Sequence, residues 1–361
     1  MAIKTLTPHI TRTAGRTLRS RAIKATVILG ASALTLTACG EDSDEGSSAS
    51  NSAGAEDLAV DLPEGWTYVA GEFEPVDSEA DPQLPVNTTD GTGEEVVITH
   101  LDRIVSAGDG ITSTLEAIGL GDNVYAAPED SVSEAGANAE EHFEFSQQTG
   151  TEGLLAMDGT LFLGDNVKRH GDVASQFRDA GVDAAVIDDQ ASQADKLQAV
   201  ADYVGLSEAG EELVSSLEAD MEEAKETVAD EDLSDTNVIQ VTATGAGGQN
   251  AVAGTGVPGT EIVQELGMNS VGVDSDLRGF SREFSNEGIL ASDPDVIVIA
   301  KSDLERWGGE DGMWEAFSTL KDTPAGQDNN IIVMPDAQLR YSSPELGTGA
   351  KALAEAIAEL V

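Results

Sequence analysis

Short apolar runs alternate with amphipathic segments along most of the chain. In the first half, the runs that predict buried strands are 103–107, 123–127, 161–163 and 184–187. In the second half they are 238–241, 271–273, 296–300 and 331–334. The segments between them have the apolar spacing of helices, and strands that alternate with helices are typical of parallel βαβ units. The pattern therefore predicts an α/β fold with mostly parallel central sheets.

The middle of the chain differs from both halves because it has no strand pattern. Residues 191–232 are rich in Ala, Glu and Leu. Their apolar side chains recur at helical spacing, at Leu213, Leu217, Met221, Ala224 and Val228. This spacing predicts one long helical segment. We therefore expect an N-terminal α/β lobe at 58–190, a bridging helical segment at 191–232 and a C-terminal α/β lobe at 233–361.

The two halves also share a sequence repeat. Residues 145–158 align with 280–293 without a gap, and the aligned positions share Phe, Ser, Glu, Gly, Leu, Ala and Asp. A common apolar pattern would match only the leucines and alanines, whereas here a Glu-Gly pair matches as well. Each copy runs into a predicted strand. The repeat therefore predicts two lobes of similar structure.

The beginning of the chain has the composition of an export signal. Residues 1–38 contain basic side chains, no acidic one, and an apolar run that ends just before Cys39, the only cysteine. This order resembles the bacterial lipoprotein signal, in which the cysteine is acylated after cleavage. We therefore expect a signal peptide at 1–38, a lipid on Cys39 that anchors the protein to the membrane, and a flexible acidic, Ser-rich linker at 39–57.

The chain is strongly acidic, with 67 Asp and Glu against 19 Lys and Arg and a formal net charge of −48. A surface of this charge repels nucleic acid, so no nucleic-acid partner is expected. Gly254, Gly256 and Gly259 match a dinucleotide fingerprint in letters, but Pro258 indicates a loop there. The four histidines lie in no hydrolase or metalloprotease motif. We therefore expect neither catalysis nor a bound cofactor.

Four further segments have the strand, turn and helix patterns of a known family: 90–126, 151–165, 286–300 and 314–357. Together they resemble the substrate-binding proteins of bacterial ABC importers for iron chelates and cobalamin. The resemblance implies two Rossmann-like lobes bridged by a single long α-helix, in a monomer held at the outer face of the cell membrane. It implies delivery of an iron complex to an ABC permease dimer. In that family an acidic residue on each lobe docks onto the permease, and Glu152 and Glu287 match those positions.

The ligand is expected beyond the carboxyl ends of the strands, where open parallel α/β lobes bind their ligands. The corresponding loops are 108–111, 126–148, 165–172, 242–258, 274–284, 302–312 and 335–343. The predicted ligand-binding residues in or beside them are Lys168, Arg169, His170, Arg278, Arg282, Trp307, Arg340 and Tyr341. Guanidinium groups with aromatic rings suit an anionic chelate. The expected ligand is a ferric siderophore, and haem and cobalamin are the less favoured alternatives.

Haem would require an axial ligand to its iron, and His142 and Tyr341 are the candidates. The haem binders that the chain resembles carry a tyrosine in the loop after the first strand of the second lobe, but residues 242–258 contain none. A bare metal bound near Glu140, Glu141, His142 and Glu144 is a weaker alternative, and no direct metal site is predicted. Two other classes stay open: an extracellular enzyme on the same scaffold, and a sensory or interaction lipoprotein without a transport role.

Overall fold

The computed structural model describes residues 58–76, 81–144, 150–245, 249–281 and 284–361. Four predictions fall outside these ranges and stay predictions: the signal at 1–38, the lipid on Cys39, the linker at 39–57 and the role of Arg282. Within the described ranges, no helix is long and apolar enough to cross a bilayer.

The described chain begins with a short strand and a hairpin. The strand is β1 (Thr67–Tyr68), and the hairpin consists of the antiparallel strands β2 (Val86–Thr89) and β3 (Glu95–Ile98). In β3 the buried Val96 and Ile98 alternate with exposed residues, as expected for a strand with one face on the core. The hairpin therefore covers apolar surface of the N-terminal lobe.

The N-terminal lobe is built on a parallel sheet with the order β6-β5-β4-β7-β8. Its strands are β4 (Ile104–Ala107), β5 (Val124–Pro128), β6 (Glu141–Phe143), β7 (Leu161–Gly164) and β8 (Asp183–Val186). Its helices are α1 (Asp109–Ala117), α2 (Glu134–Ala137), α3 (Thr151–Leu155) and α4 (Val167–Asp179). Every residue of β4 and β7 is buried, as in parallel sheets covered by helices on both faces. The strands predicted for this lobe are confirmed.

Two helices follow, α5 (Gln193–Tyr203) and α6 (Ser207–Asp230). The predicted segment 191–232 is therefore broken, and Gly205 adopts a left-handed φ of 73° at the break. Helix α6 has 24 residues and is about 36 Å long at 1.5 Å per residue. Its Leu213 packs in the core of the N-terminal lobe, and its Leu217 and Met221 pack in that of the C-terminal lobe. The predicted bridge by one long helix is thus confirmed.

The C-terminal lobe is built on a mixed sheet with the order β1-β14-β13-β9-β10-β12, and β11 pairs with β9. Its strands after β1 are β9 (Asn237–Gly245), β10 (Gln249–Ala253), β11 (Asn269–Ser270), β12 (Phe280–Ser281), β13 (Val296–Ala300) and β14 (Ile331–Met334). Its helices are α7 (Pro258–Glu265), α8 (Val271–Asp274), α9 (Asn286–Ser292), α10 (Lys301–Trp307), α11 (Glu310–Ala316), α12 (Pro324–Asp328) and α13 (Leu346–Leu360). The pairs β9–β13, β13–β14 and β1–β14 are parallel, whereas β10 is antiparallel to both β9 and β12.

Three predictions for the C-terminal lobe are wrong. The loop predicted at 242–258 contains strand β10, and the loop predicted at 302–312 contains most of α10. The strand predicted at 271–273 is helix α8. A Cβ on Gly272 would lie 1.7 Å from the carbonyl oxygen of Ala253, so this glycine lets α8 pack directly against the neighbouring backbone. Tertiary packing therefore overrides the strand propensity of Val271 and Val273.

The start of the N-terminal lobe differs from the predicted range of 58–190. Strand β1 pairs with β14 of the other lobe, and the backbone of Val69 donates to the Val333 carbonyl at 2.9 Å. Trp66 also packs edge-to-face on Trp314, with 6.0 Å between ring centroids. The chain thus begins in the C-terminal lobe and crosses to the other lobe after Val69.

The sequence repeat has a structural counterpart. Asp158 and Asp293 are aligned in the repeat, and both adopt a left-handed φ, of 60° and 45°, just after helices α3 and α9. The following strands, β7 and β13, occupy inner positions of their sheets. The two lobes therefore contain the same helix–turn–strand unit.

Candidate functional site

A cleft of about 750 Å³ lies between the lobes, at the carboxyl ends of their parallel strands. Gly108 after β4, Asp165 after β7 and Ser302 after β13 all line it. Its volume lies in the range of small-molecule sites, and its position is the one at which open parallel sheets bind ligands. This cleft is the candidate binding site.

A second cavity of about 1000 Å³ lies at the opposite edge of the N-terminal sheet. It is lined by Arg103 and Val124, at the amino ends of β4 and β5, and by Gly119 just beyond α1. The edge formed by the amino ends of parallel strands is not where ligands of such sheets bind. The inter-lobe cleft is therefore the stronger candidate.

The C-terminal lobe presents three arginines to the cleft: Arg278, Arg306 and Arg340. The guanidinium of Arg340 is neutralised by Asp303, with Nη1 2.8 Å from Oδ2, and its carbon lies 5.5 Å from the Phe280 ring centroid. Arg278 and Arg306 are exposed, and neither forms an ion pair with any described residue. These two arginines are therefore the cations of this wall that remain available to a ligand.

Asp303 lies behind this wall and supports it. It follows β13 in the first turn of α10, and its side chain is 2% exposed. Its Oδ1 accepts hydrogen bonds from Thr242 Oγ1 at 2.7 Å, Thr244 Oγ1 at 2.9 Å and the backbone of Ala243 at 2.9 Å. The other oxygen binds Arg340. A buried carboxylate with four partners thus fixes the end of β9 and the orientation of Arg340.

The N-terminal lobe presents Asp109, the first residue of α1. Its Oδ1 accepts hydrogen bonds from the hydroxyl of Ser131, from both the hydroxyl and backbone of Ser133, and from the backbone of Val132. Among the described residues none donates to Oδ2. Burial raises the pKa of this carboxyl above its ordinary value. The loop at 131–133 therefore holds Asp109 in place with one oxygen available.

Tyr341 joins the two walls. Its hydroxyl accepts a hydrogen bond from Ser113 of α1 at 3.3 Å, which crosses from one lobe to the other. Burial raises the pKa of the phenol well above its usual range, so the side chain is a neutral phenol. Gln193 of α5 makes a second crossing contact by donating to Glu261 of α7 at 3.2 Å.

The structure separates the predicted ligand-binding residues into two groups. Arg169, Arg278, Arg340 and Tyr341 line the cleft. His170 does not, because it is 5% exposed, its Nδ1 accepts from the Asp165 backbone at 3.1 Å, and its ring packs against Phe162. The other two that do not line the cleft are Lys168, which is exposed, and Trp307, whose indole donates to Asn250 Oδ1 at 2.8 Å.

The two candidate axial ligands occupy different places. Tyr341 lines the cleft, whereas His142 lies on the edge strand β6, with Nε2 3.1 Å from the Gly136 carbonyl oxygen. His142 is not among the described residues that line the cleft. No group of three or more His, Cys, Asp or Glu is placed to hold a metal ion within the described ranges.

Sequence reasoning missed Asp109, Asp303 and Lys196 as residues of the site or its support. Asp109 lies inside the predicted loop 108–111, so its position after a buried strand could have identified it. Asp303 lies behind the wall, and nothing in the sequence distinguishes it from the many other acidic residues. Lys196 lines the cleft from α5, which was assigned to the bridge alone.

The predicted docking glutamates occupy equivalent positions. Glu152 lies in the first turn of α3 and Glu287 in the first turn of α9, and both are exposed. The first turn of a helix is a favourable place for a carboxylate, because it complements the helix dipole. Both carboxylates are accessible to a partner.

Buried carboxyl groups predict an unusual dependence of stability on pH. Burial is the main cause that raises the pKa of Asp109, Asp336 and Glu345. Each group therefore binds its proton more tightly in the folded than in the unfolded protein, so the free energy of unfolding should rise as the pH falls from neutral toward the ordinary pKa values of these groups, 3.8 for Asp and 4.5 for Glu. We expect the thermal midpoint to increase by about 2–5 °C over this window in calorimetry at constant ionic strength. A midpoint that falls would contradict the assignment.

A family profile described as periplasmic binding protein matches residues 104–338. Among solved structures, the chain is similar to the heme binding protein HmuT, at 26% identity and a TM-score of 0.66, over 81% of this chain and 97% of that one. It is also similar to the periplasmic heme-binding protein RhuT from Roseiflexus sp. RS-1, at 26% identity and a TM-score of 0.61, over 72% and 99%. HutB of Vibrio cholerae, at 21% identity and a TM-score of 0.58 over 71% and 98%, shares the fold. No curated protein sequence matches. With two α/β lobes, one bridging helix and a profile match over most of its length, this chain belongs to the periplasmic binding protein family.

Proposed function

We propose that the protein is the substrate-binding component of an ABC importer and that its cleft captures an anionic iron chelate, with haem as the first candidate. The observation that carries the proposal is the pair of uncompensated arginines, Arg278 and Arg306, in the cleft of a chain with a net charge of −48. In so acidic a protein, unpaired cations inside a cleft are matched to a negatively charged ligand.

The preference for haem rests on the relatives. HmuT and RhuT, each 26% identical to this chain, are named as haem-binding proteins. Carboxylates such as the two propionates of haem are groups that arginine binds in bidentate fashion. The planar ring could also contact apolar Val132 and Phe280, which line the same cleft.

A ferric siderophore is the second candidate, and a specific observation favours it. Residues 242–258 contain no tyrosine, although the resemblance to haem binders leads one to expect a tyrosine there. Burial raises the pKa of the Tyr341 phenol well above its usual range, which disfavours the phenolate form that coordinates iron(III).

The test is a titration of the purified full chain with hemin, ferrioxamine B and cyanocobalamin, followed by absorption and tryptophan fluorescence. We expect hemin to bind with a shifted Soret band. Arg306→Gln and Arg278→Gln should each weaken binding by about tenfold, the value of one charge-assisted hydrogen bond. Lys168→Gln is the matched control, because it removes an exposed cation next to Arg169 but outside the cleft, and it should leave affinity unchanged.

The outcomes separate the candidates. Binding of ferrioxamine B but not of hemin would favour the siderophore. Failure of every ligand to bind would contradict the proposed function. Equal losses in Lys168→Gln and Arg306→Gln would show that the arginines act through the general charge of the protein and not through contact with the ligand.

Delivery to the importer is the second half of the proposal. We propose that Glu152 and Glu287 dock onto cationic residues of the permease dimer, since the repeat places them on equivalent helices of the two lobes. The protein would be held outside the cell by a lipid on Cys39, which follows the string Leu36-Thr37-Ala38 typical of lipoprotein signals.

If Glu152 and Glu287 dock onto the permease, their removal should impair haem uptake but not haem binding. The double variant Glu152→Ala/Glu287→Ala should keep its affinity for hemin and lose at least tenfold in haem-dependent uptake by cells, because each carboxylate lies outside the cleft. Glu315→Ala, which removes an exposed glutamate of α11, is the control. Normal uptake by the double variant would contradict the docking role.

A further inference from the structure

The two walls of the cleft carry opposite charges. On the C-terminal lobe the lining residues that bear charge are Arg278, Arg306, Arg340 and Glu261. On the N-terminal lobe they are Asp109, Asp130, Asp165, Asp189, Arg169 and Lys196. The C-terminal wall is thus positive on balance and the N-terminal wall negative.

Ion pairs within each wall reduce the number of charges that a ligand can contact. Arg169 lies 3.6 Å from Asp165, and Arg340 is bound to Asp303. At the start of α4, Asp189 Oδ1 accepts from the backbone of Val167 at 2.9 Å, a neutral donor that leaves the charge of Asp189 uncompensated. Lys196 lies one helical turn from Gln193, and the Gln193 amide donates to Glu261. The positive charge of Lys196 and the negative charge of Glu261 therefore lie at the same end of the cleft.

Apart from these ion pairs, the N-terminal wall keeps Asp109, Asp130 and Asp189 against Lys196, and the C-terminal wall keeps Arg278 and Arg306 against Glu261, so the opposite balance of the two walls persists. Arg278 and Arg306 face the cleft from the C-terminal lobe, and Asp109 and Asp130 face it from the N-terminal lobe. Asp130 is exposed and makes no hydrogen bond or ion pair with a described residue. Asp109 keeps Oδ2 free while its other oxygen is fixed by Ser131 and Ser133.

We propose that this asymmetry determines both the orientation of the ligand and the specificity of the cleft. The cleft selects chelates whose anionic groups lie on one edge only, and that edge lies against Arg278 and Arg306. Asp109 and Asp130 reject chelates that carry carboxylates on the opposite edge. An anionic group brought against Asp109 meets like charge inside a cleft of restricted solvent, where such contacts are costly. Specificity of this kind arises from repulsion of the wrong ligand as much as from attraction of the right one.

This inference rests on the proposed function in its haem form. Haem has two propionates on one edge, whereas iron coproporphyrin III has four carboxylates distributed around a ring of the same size. The two probes therefore differ in the position of charge and keep the metal and the ring.

The experiment measures the ratio of dissociation constants of the full chain for iron coproporphyrin III and hemin. We expect the unaltered protein to prefer hemin by at least tenfold. Asp109→Asn and Asp130→Asn should each reduce this ratio threefold or more, through a gain in affinity for iron coproporphyrin III that exceeds any change in affinity for hemin. Asp130→Asn keeps the test valid if Asp109→Asn folds poorly, since Asp130 is exposed. Asp122→Asn, outside the cleft, should leave the ratio unchanged.

An unchanged ratio in both aspartate variants, or an equal change in Asp122→Asn, overturns the inference. So does a loss of hemin affinity as large as the gain for coproporphyrin, because the aspartates would then contribute to binding of the right ligand. If hemin fails to bind at all, the haem form of the proposed function is wrong. If hemin binds tightly with no preference over coproporphyrin, the function holds and only this inference is wrong.

Discussion

Replacement of Asp303 by alanine is expected to lower the free energy of unfolding by about 3–5 kcal/mol, the cost of removing one partner from a buried ion pair. The side chain is 2% exposed and receives Thr242, Thr244 and the backbone of Ala243 on one oxygen and Arg340 on the other. Alanine would leave the backbone N–H of Ala243 and the two threonine hydroxyls without this acceptor, and Arg340 would keep Asp336, at 4.0 Å, as an ionic partner. Denaturant unfolding followed by circular dichroism measures the loss.

The control for this prediction is Glu315→Ala on the neighbouring helix α11. Glu315 is also acidic but is exposed, so its removal should change the free energy of unfolding by less than about 0.5 kcal/mol. A loss of less than 1 kcal/mol in Asp303→Ala, on the scale of an exposed ion pair, would show that the network contributes little to folding. It would also remove the argument that Asp303 neutralises Arg340.

Replacement of Gly110 by alanine is expected to cost about 1–3 kcal/mol of stability, the range for overpacking. Gly110 lies in the first turn of α1, and a Cβ there would lie 2.2 Å from the carbonyl oxygen of Ser342 in the other lobe. Because the clash is with backbone, the lobes must move apart beside the Ser113–Tyr341 contact. We therefore expect weaker hemin binding and a larger radius of gyration by small-angle scattering.

Gly153→Ala is the matched control, since Gly153 is also helical and a Cβ there meets nothing within 4 Å. That substitution should leave stability unchanged or raise it by about 0.4–1 kcal/mol through the unfolded chain. If Gly110→Ala behaves like Gly153→Ala in both stability and affinity, the close approach of the lobes has no role in binding.

Features encoded by local periodicity could be predicted from the sequence. The buried strands β7, β13 and β14 are continuous apolar runs, and α6 has apolar residues at helical spacing. The repeat around Glu152 and Glu287 further indicated two similar lobes, because a coincidence of pattern does not extend to polar residues in register. These signals need no knowledge of distant contacts.

Features that depend on distant contacts could not be predicted in this way. Strand β1 has only two residues, and it is a strand because β14, far away in the chain, offers it hydrogen bonds. Val271 and Val273 have strand propensity but form a helix, since Gly272 packs against Ala253. In the same way, Lys168 and Arg169 are adjacent cations in the first turn of α4, and only the direction of that helix decides that Arg169 alone lines the cleft.

The pairing of β1 with β14 also determines which lobe resists a force applied to the chain upstream of Thr67. The described residues upstream of Thr67 are joined to the C-terminal lobe by this strand, by the contact between Trp66 and Trp314, and by Ala59, whose backbone donates to Glu305. A pull along the upstream chain is therefore resisted by parallel strands loaded in shear, and not by α6. Force applied at that end is therefore borne by the C-terminal lobe, and the N-terminal lobe is held to it by α6 and by the Ser113–Tyr341 and Gln193–Glu261 contacts.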